Sequence, residues 1–405
     1  MMKRHIIHVL CSPHGGIATY VQGIIEAEKY NGNYSTIILN FKKADKQFLS
    51  NLNKSSNSNK LNKLYNLNTH KIPNLKTIFD IIELIKLIFK YKFDDKNKLY
   101  LFAHGTSSAG ISLIASIITR IQVFYIPHGG LSHLYTSNNK ILYNLAKIYD
   151  TLLKCLNVKF LYESLYTSLL YIKIENSKRT IENSTNYLYS FPSNLYNKIK
   201  KNIYLEAPSL KNQLEETNYN SRITISSKKD EKHFLNFVYM GTWRKIKGSI
   251  RLLNVLSTFN QSDFILKNGK LITFTFYTDI ERHKIINPHP EYISIKPWND
   301  NPQDIISKSY GQIIPSEGES FGYAAIEAQL GCLPVIHTNQ GGLKEIFEGT
   351  KFPIIPTTFI KKDLLEAIEY ITTNSFNDMI KKGVFFKSSI AKSAWNPDKM
   401  FSIFK

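Results

Sequence analysis

Residues 310–331 read YGQIIPSEGESFGYAAIEAQLG: an apolar strand, a polar turn and a helix, in that order. The run YGQIIPS ends at Ser316, GYAAIEAQL has helical composition, and Gly331 stops it. Glu319 therefore falls in the strand-to-helix turn and Glu327 on the helix. In a parallel sheet that turn lies at the carboxyl edge, where ligands bind, and the amides of Ser320, Phe321 and Gly322 are placed to hold an anion. The two acids are eight residues apart, which sets them about 80° apart on a helical wheel. That is too far for a carboxylate pair sharing a proton, so two jobs are expected. Taken alone, the pair also fits a helix cap and a solvated acid.

The same alternation extends to both sides. HIIHVL (5–10), YSTIILNF (34–41), KLYLFAH (98–104) and IQVFYI (121–126) read as strands, with helices over 15–30, 74–92 and 107–120. Residues 50–71, rich in Asn, Ser and Lys, read as a surface loop. A second alternating half runs through FLNFVYMG, LITFTFYT, YISIKPW, YGQIIPS and LPVIHTN. The polar stretch at 206–233 reads as the linker between the halves. The predicted class is α/β, with two Rossmann-like doubly wound domains facing across a cleft, in keeping with 405 residues. The boundaries are 1–205, joined by a closing helix at about 386–405, and 206–385.

Lys and Arg number 52 against 32 Asp and Glu, a formal charge of +20, which favours an anionic partner. Cys11, Cys155 and Cys332 are far apart and odd in number, which argues against a disulfide framework or zinc site and for a reducing cytoplasm. The apolar run near the N-terminus is too short for a signal-peptide core. The longest apolar neighbourhood, 109–130, is broken by Arg120 and Gln122, so any membrane contact is expected to be peripheral.

The segment PSEGESFGYAAIEAQLGCLPVIHTNQGGLKEI (315–346) closely resembles the donor-site signature of glycosyltransferase family 4, retaining enzymes of the GT-B fold. The shared features are Pro-Ser, a Glu before Ser-Phe-Gly, a second Glu after seven residues, a Pro-Val strand and a Gly-Gly pair before Glu345. The resemblance implies that Glu327 holds the ribose hydroxyls of a sugar nucleotide and Glu319 contacts hydroxyls of the donor sugar. The Ser320, Phe321 and Gly322 amides then approach sugar and phosphate. VYMGTWRKIKGSIRLL (238–253) is similar to the family's basic element, with Lys247-Gly248 in its Lys-Gly position. Thr242 stands where the family has arginine, which leaves Arg244 as the nearby guanidinium for the diphosphate.

In the first half, SPHGGIATYV places Gly15 and Gly16 after the first strand, similar to the family's N-terminal glycine loop. AHGTSSAGISL and VFYIPHGG resemble elements of bacterial polysaccharide members, with Ile126 where Thr is common. That likeness sets His128 beside the transferring sugar and leaves His104 as a structural residue. IKPWNDNP resembles a loop near the nucleotide base and marks Trp298 for packing or stacking.

The implied activity is transfer of a hexosyl group, with retention, from a nucleotide diphosphate sugar, UDP-linked by expectation. The implied acceptor is a glycan or a polyprenyl-diphosphate-linked glycan in capsule, O-antigen or exopolysaccharide assembly. No Asp-x-Asp pair occurs, and a metal-independent reaction without cofactor is expected. An anionic inner-membrane surface is the expected partner for the basic charge and nucleic acid is not, because the Tyr- and Lys-rich stretch 142–174 is helical in period, its aromatics facing a core. A hydrolysing sugar-nucleotide epimerase and a basic membrane- or nucleic-acid-binding protein are the competing readings.

Overall fold

Strands β1 (Arg4–Leu10), β2 (Tyr34–Asn40), β3 (Lys63–Asn66), β4 (Lys98–His104), β5 (Val123–Ile126) and β6 (Lys159–Phe160) form one sheet. Their order is β3-β2-β1-β4-β5-β6, and every pairing is parallel. Chain order reverses between β1 and β4, the switch point at which open α/β sheets bind ligands. This computed structural model describes residues 4–10, 17, 21, 34–40, 63–66, 73–93, 98–128, 144, 148, 152, 158–160, 234–279, 285–298, 302–320, 322–330, 333–347 and 350–373.

Helices α1 (Pro73–Phe93) and α2 (Thr106–Thr119) cover one face of this sheet. Leu84, Leu87, Ile88 and Tyr91 recur at three- and four-residue spacing on α1, so one stripe packs against Ile7, Val9, Leu101, Ala103, Val123 and Tyr125. β5 is buried at all four positions, as expected of a strand covered on both faces.

The second sheet contains β7 (Phe234–Met240), β8 (Leu271–Thr278), β9 (Ile293–Pro297), β10 (Gly311–Ile314) and β11 (Val335–His337). Its order is β11-β10-β7-β8-β9, again parallel, so β7 and β10 flank its switch point. Helices α3 (Ser249–Leu256), α4 (Pro302–Lys308), α5 (Tyr323–Leu330), α6 (Leu343–Phe347) and α7 (Lys361–Thr373) accompany it. Its core holds an aromatic cluster in which the Phe264 ring stacks on Tyr292 at 4.1 Å and lies 5.4 Å from Phe259 and 6.2 Å from Phe274.

The chain divides into two compact units, Met1–Lys211 with Ala394–Lys405, and Asn212–Ser393. The expected linker at 206–233, the closing helix at 386–405 and all three cysteines lie outside the described residues. No helix among the described residues is long and apolar enough to cross a membrane.

Two expectations are corrected. The loop expected over 50–71 contains β3, which pairs with Ile37–Asn40 at the sheet edge. An edge strand of four residues tolerates Lys and Asn and is too short to display a period. The stretch 142–174, read as helical throughout, is helical at 144, 148 and 152 but contains β6, paired to Phe124 and Tyr125. Two strand residues cannot interrupt a helical pattern visibly, and the neighbouring strand decides their conformation.

Phe264 is fully buried. Phe264→Ala should lower the stability of the second unit by about 3–5 kcal/mol in urea unfolding. A loss below about 1 kcal/mol would show that the aromatic cluster does not hold this sheet.

Candidate active site

The site is built from the two connections that leave β7 and β10. After β7 the chain passes Gly241 into a turn that the Tyr239 hydroxyl fastens by donating to the Thr242 carbonyl at 2.8 Å. Burial raises the Tyr239 phenol above its ordinary value, so it stays a neutral donor. The Trp243 amide donates to Asp279 Oδ1 at 2.7 Å, which ties the turn to the end of β8. A single 3-10 turn, Lys245–Lys247, follows, and Gly248 (φ 72°) then opens α3.

The second connection, Pro315–Gly322, is seated against the first by backbone. The Glu317 amide donates to the Ile246 carbonyl at 2.8 Å. A Cβ on Gly248 would lie 2.0 Å from the Pro315 carbonyl oxygen, so only glycine allows this approach. From the other side the Gly342 amide donates to the Glu319 carbonyl at 2.7 Å. A Cβ on Gly341 (φ 59°) would lie 2.1 Å from that same oxygen. The Lys-Gly and Gly-Gly pairs of the sequence are thus two backbone clamps on one turn. His337 supports the second clamp. Burial lowers it to about 3, and its Nδ1 accepts the Asn339 amide at 3.1 Å while the ring stacks on Phe347 at 4.2 Å.

Between the clamps, Lys247 Nζ donates to both carboxylate oxygens of Glu319, at 2.6 and 2.7 Å. Ser316 Oγ adds a longer bond to Oε2 at 3.3 Å. The Glu319 side chain is 13% exposed and that of Lys247 32%, so the pair is only partly screened by water. Gly322 (φ 95°) leads into α5. The amides of Ser320 and Gly322 meet no hydrogen-bond acceptor among the described residues, as free N–H groups at a helix start would. The carboxyl of Glu327, one turn into α5, has no hydrogen bond or ion pair among the described residues. Part of its side chain remains accessible, yet burial pushes its carboxyl up to about 7.

Glu319, Lys247, Ser320 and Gly322 are therefore brought together, with Glu327 on the helix that follows. Arg244 caps the 3-10 turn through its backbone. Its side chain is exposed, and its guanidinium has no partner among the described residues. Trp298 follows β9 and is 45% exposed, its amide donating to Thr278 at 3.0 Å. His128 follows β5 in the first unit, with φ 46°. Gly15, Gly16 and Phe321 lie outside the described residues. The described residues contain no group of three or more His, Cys, Asp or Glu placed to bind a metal ion.

Sequence reasoning missed Ser316, Tyr239 and Asp279. Ser316 stands three residues before Glu319, a spacing that could have been tested. Tyr239 and Asp279 act across strands, and no local pattern announces them.

No family model matches the chain. An uncharacterised 41.2 kDa protein from the cps region of Klebsiella pneumoniae is 30% identical over 118 residues, 29% of this chain and 31% of that protein, so the match spans about a third of the relative. Among solved structures, the chain is similar to Anabaena HepE in complex with UDP and glucose, with TM-score 0.66, 14% identity, and 100% of this chain and 98% of that one covered. The chain has the GT-B fold. Sucrose-phosphate synthase from Thermosynechococcus elongatus matches at TM-score 0.67 and 13% identity over 99% of this chain and 98% of that one. The lipopolysaccharide outer core galactosyltransferase WaaB matches at 0.58 and 13% over 99% and 98%.

Gly341→Ala forces the Glu319 turn to move and should destabilise the second unit by about 2–4 kcal/mol. In urea unfolding, a loss below about 1 kcal/mol would mean that the clamp yields freely. Lys247→Met and Glu319→Gln, measured singly and together, should show a coupling of about 1–3 kcal/mol. Additive losses would mean that the ion pair contributes nothing.

Proposed function

We propose that this protein is a retaining glycosyltransferase that moves a hexosyl group from a UDP-linked sugar to a glycan or polyprenyl-diphosphate-linked acceptor. The acceptor reading places it in capsule, O-antigen or exopolysaccharide assembly. The observation that carries the proposal is the turn between β10 and α5. There Glu319, Lys247 and two amides without an acceptor among the described residues converge at the switch point of a parallel sheet, one helical turn or so from Glu327, whose carboxyl has no partner among those residues. The likeness to HepE bound to UDP and glucose, and the cps-region relative, support the same reading.

In this reading the ligand lies along α5. Glu327 accepts from the ribose hydroxyls, the Ser320 and Gly322 amides meet phosphate, and Glu319 accepts from hydroxyls of the sugar. Phe321 and the Gly15-Gly16 loop are assigned to the sugar and diphosphate on resemblance alone, and Trp298 to the base. Lys247 is already committed to Glu319, so a diphosphate must compete for its ammonium. Arg244 has no such commitment and takes the place of the arginine missing at Thr242. As the bond between the anomeric carbon and the phosphate oxygen breaks, these cations and amides stabilise the charge on the departing diphosphate. The acceptor hydroxyl attacks from the same face and passes its proton to the leaving phosphate oxygen. His128 is assigned to the transferring sugar on resemblance alone. An anionic membrane surface is the partner for the basic charge.

Glu327 yields a test with a definite sign. The folded protein keeps this carboxyl protonated up to about 7, whereas the ordinary value is 4.5. Between those values the folded state binds more protons than the unfolded one, so this group lowers stability as pH rises through the window. Ribose hydroxyls favour the carboxylate, so UDP binding near pH 7 should release a proton. Calorimetry in buffers of different ionisation heat should detect that release. Glu327→Gln should abolish it and weaken UDP binding by roughly tenfold to a hundredfold. Unchanged affinity would remove Glu327 from the ribose site. Incubation with UDP-glucose and a lipid-linked glycan should give an α-linked product and UDP. Free sugar epimer instead would identify a hydrolysing epimerase.

A further inference from the structure

The first unit carries a row of three imidazoles at its own switch point. His8 Nδ1 lies 3.0 Å from His104 Nε2, and His104 Nδ1 lies 3.0 Å from His128 Nε2. The row follows from sheet register. His8 is opposite Phe102 on β4, His104 is two residues further along, and His104 is in turn opposite Ile126, two residues before His128. One ring each from β1, β4 and the end of β5 therefore meets its neighbour diagonally, with centroids 5.3 Å apart in both pairs and interplanar angles of 29° and 21°. His8 and His104 are buried, and His128 is partly exposed. His128 also adopts φ 46°, a left-handed conformation unfavourable for a residue with a Cβ, and its ring bond to His104 is available to offset that strain.

A neutral imidazole carries one donor and one acceptor nitrogen. His104 spends both on its neighbours, so if it donates on one side it accepts on the other. The two bridging protons must then both point toward His128 or both point away. In the first arrangement His128 Nε2 accepts, and the proton of its neutral ring sits on Nδ1. In the second Nε2 donates, and Nδ1 becomes the acceptor. Burial, reinforced by His8 and His128, holds His104 well below its ordinary value and keeps it in the neutral form that this requires.

We propose that His104 is a positioning residue, which together with His8 restrains the orientation of the His128 ring and couples its tautomer to the row. This rests on the reading of His128 given above and extends it. Linear spacing does not announce the contacts, since the positions are 96 and 24 residues apart along the chain.

The test uses full-length protein with nitrogen-15-labelled histidine. Scalar couplings across the N–H···N bonds should link His8 Nδ1 to His104 Nε2 and His104 Nδ1 to His128 Nε2, and His128 should show a single tautomer. In His104→Phe, which keeps a ring but no ring nitrogen, His128 should become a mixture of tautomers. Its turnover of UDP-glucose to UDP should fall by on the order of tenfold to a hundredfold, by analogy with the loss of a group that orients a metal-ligating histidine, with KM little changed. Absent couplings in the wild type, or an unaltered His128 tautomer in His104→Phe, would overturn the proposal. The wild-type couplings decide the matter even if the variant does not fold. His128→Ala separates the two readings: if it leaves turnover intact, the role of His128 in transfer fails while the row itself stands.

Discussion

The geometry of the candidate site depends on how closely backbone can approach backbone around Glu319. Two chain segments, one ending at Gly248 and one beginning at Gly341, come so near the Pro315–Glu319 turn that an added Cβ would fall about 2 Å from a carbonyl oxygen on either side. A side chain could be rearranged to relieve such a contact, but a carbonyl fixed in a hydrogen-bonded turn cannot. Each contact is accompanied by an amide-to-carbonyl bond, Glu317 to Ile246 and Gly342 to Glu319. Steric exclusion and hydrogen bonding therefore specify the same path. That path delivers the Glu319 carboxylate to Lys247 and aims the start of α5 at the carboxyl edge of the sheet.

The difference between what was and was not legible in the sequence has a physical basis. Strands such as Lys98–His104 and Leu271–Thr278 could be read to the residue because they are long, apolar and bounded by turns. The placement of Glu319 in a turn and Glu327 on a helix followed from the same local pattern. β3 and β6 escaped because edge strands of four and two residues are decided by the neighbour they pair with. The Lys247–Glu319 pair spans 72 residues and the histidine row spans 120. Contacts of that kind are set by sheet register, which one-dimensional spacing does not encode.

The two switch points solve one problem by different chemistry. A functional side chain at the end of a strand is held there only if something beyond its own backbone restrains it. In the second unit the restraint is an ion pair, and its charge makes it responsive to a charged ligand, since an anion would compete with Glu319 for one ammonium. In the first unit the restraint is a row of imidazoles whose middle ring, His104, is held in the neutral form by burial.

The same reasoning explains why a chain of charge +20 places acids in this turn. Lys247 and Glu319 are paired, and Glu327, pushed up to about 7, is roughly half protonated at neutral pH. Net charge in the turn is therefore small apart from the exposed Arg244 and Lys245. A strongly cationic pocket would hold any polyphosphate and release its leaving group slowly. Under the proposed function, a sugar whose hydroxyls engage Glu319 frees the Lys247 ammonium for phosphate, so phosphate binding follows the fit of the sugar.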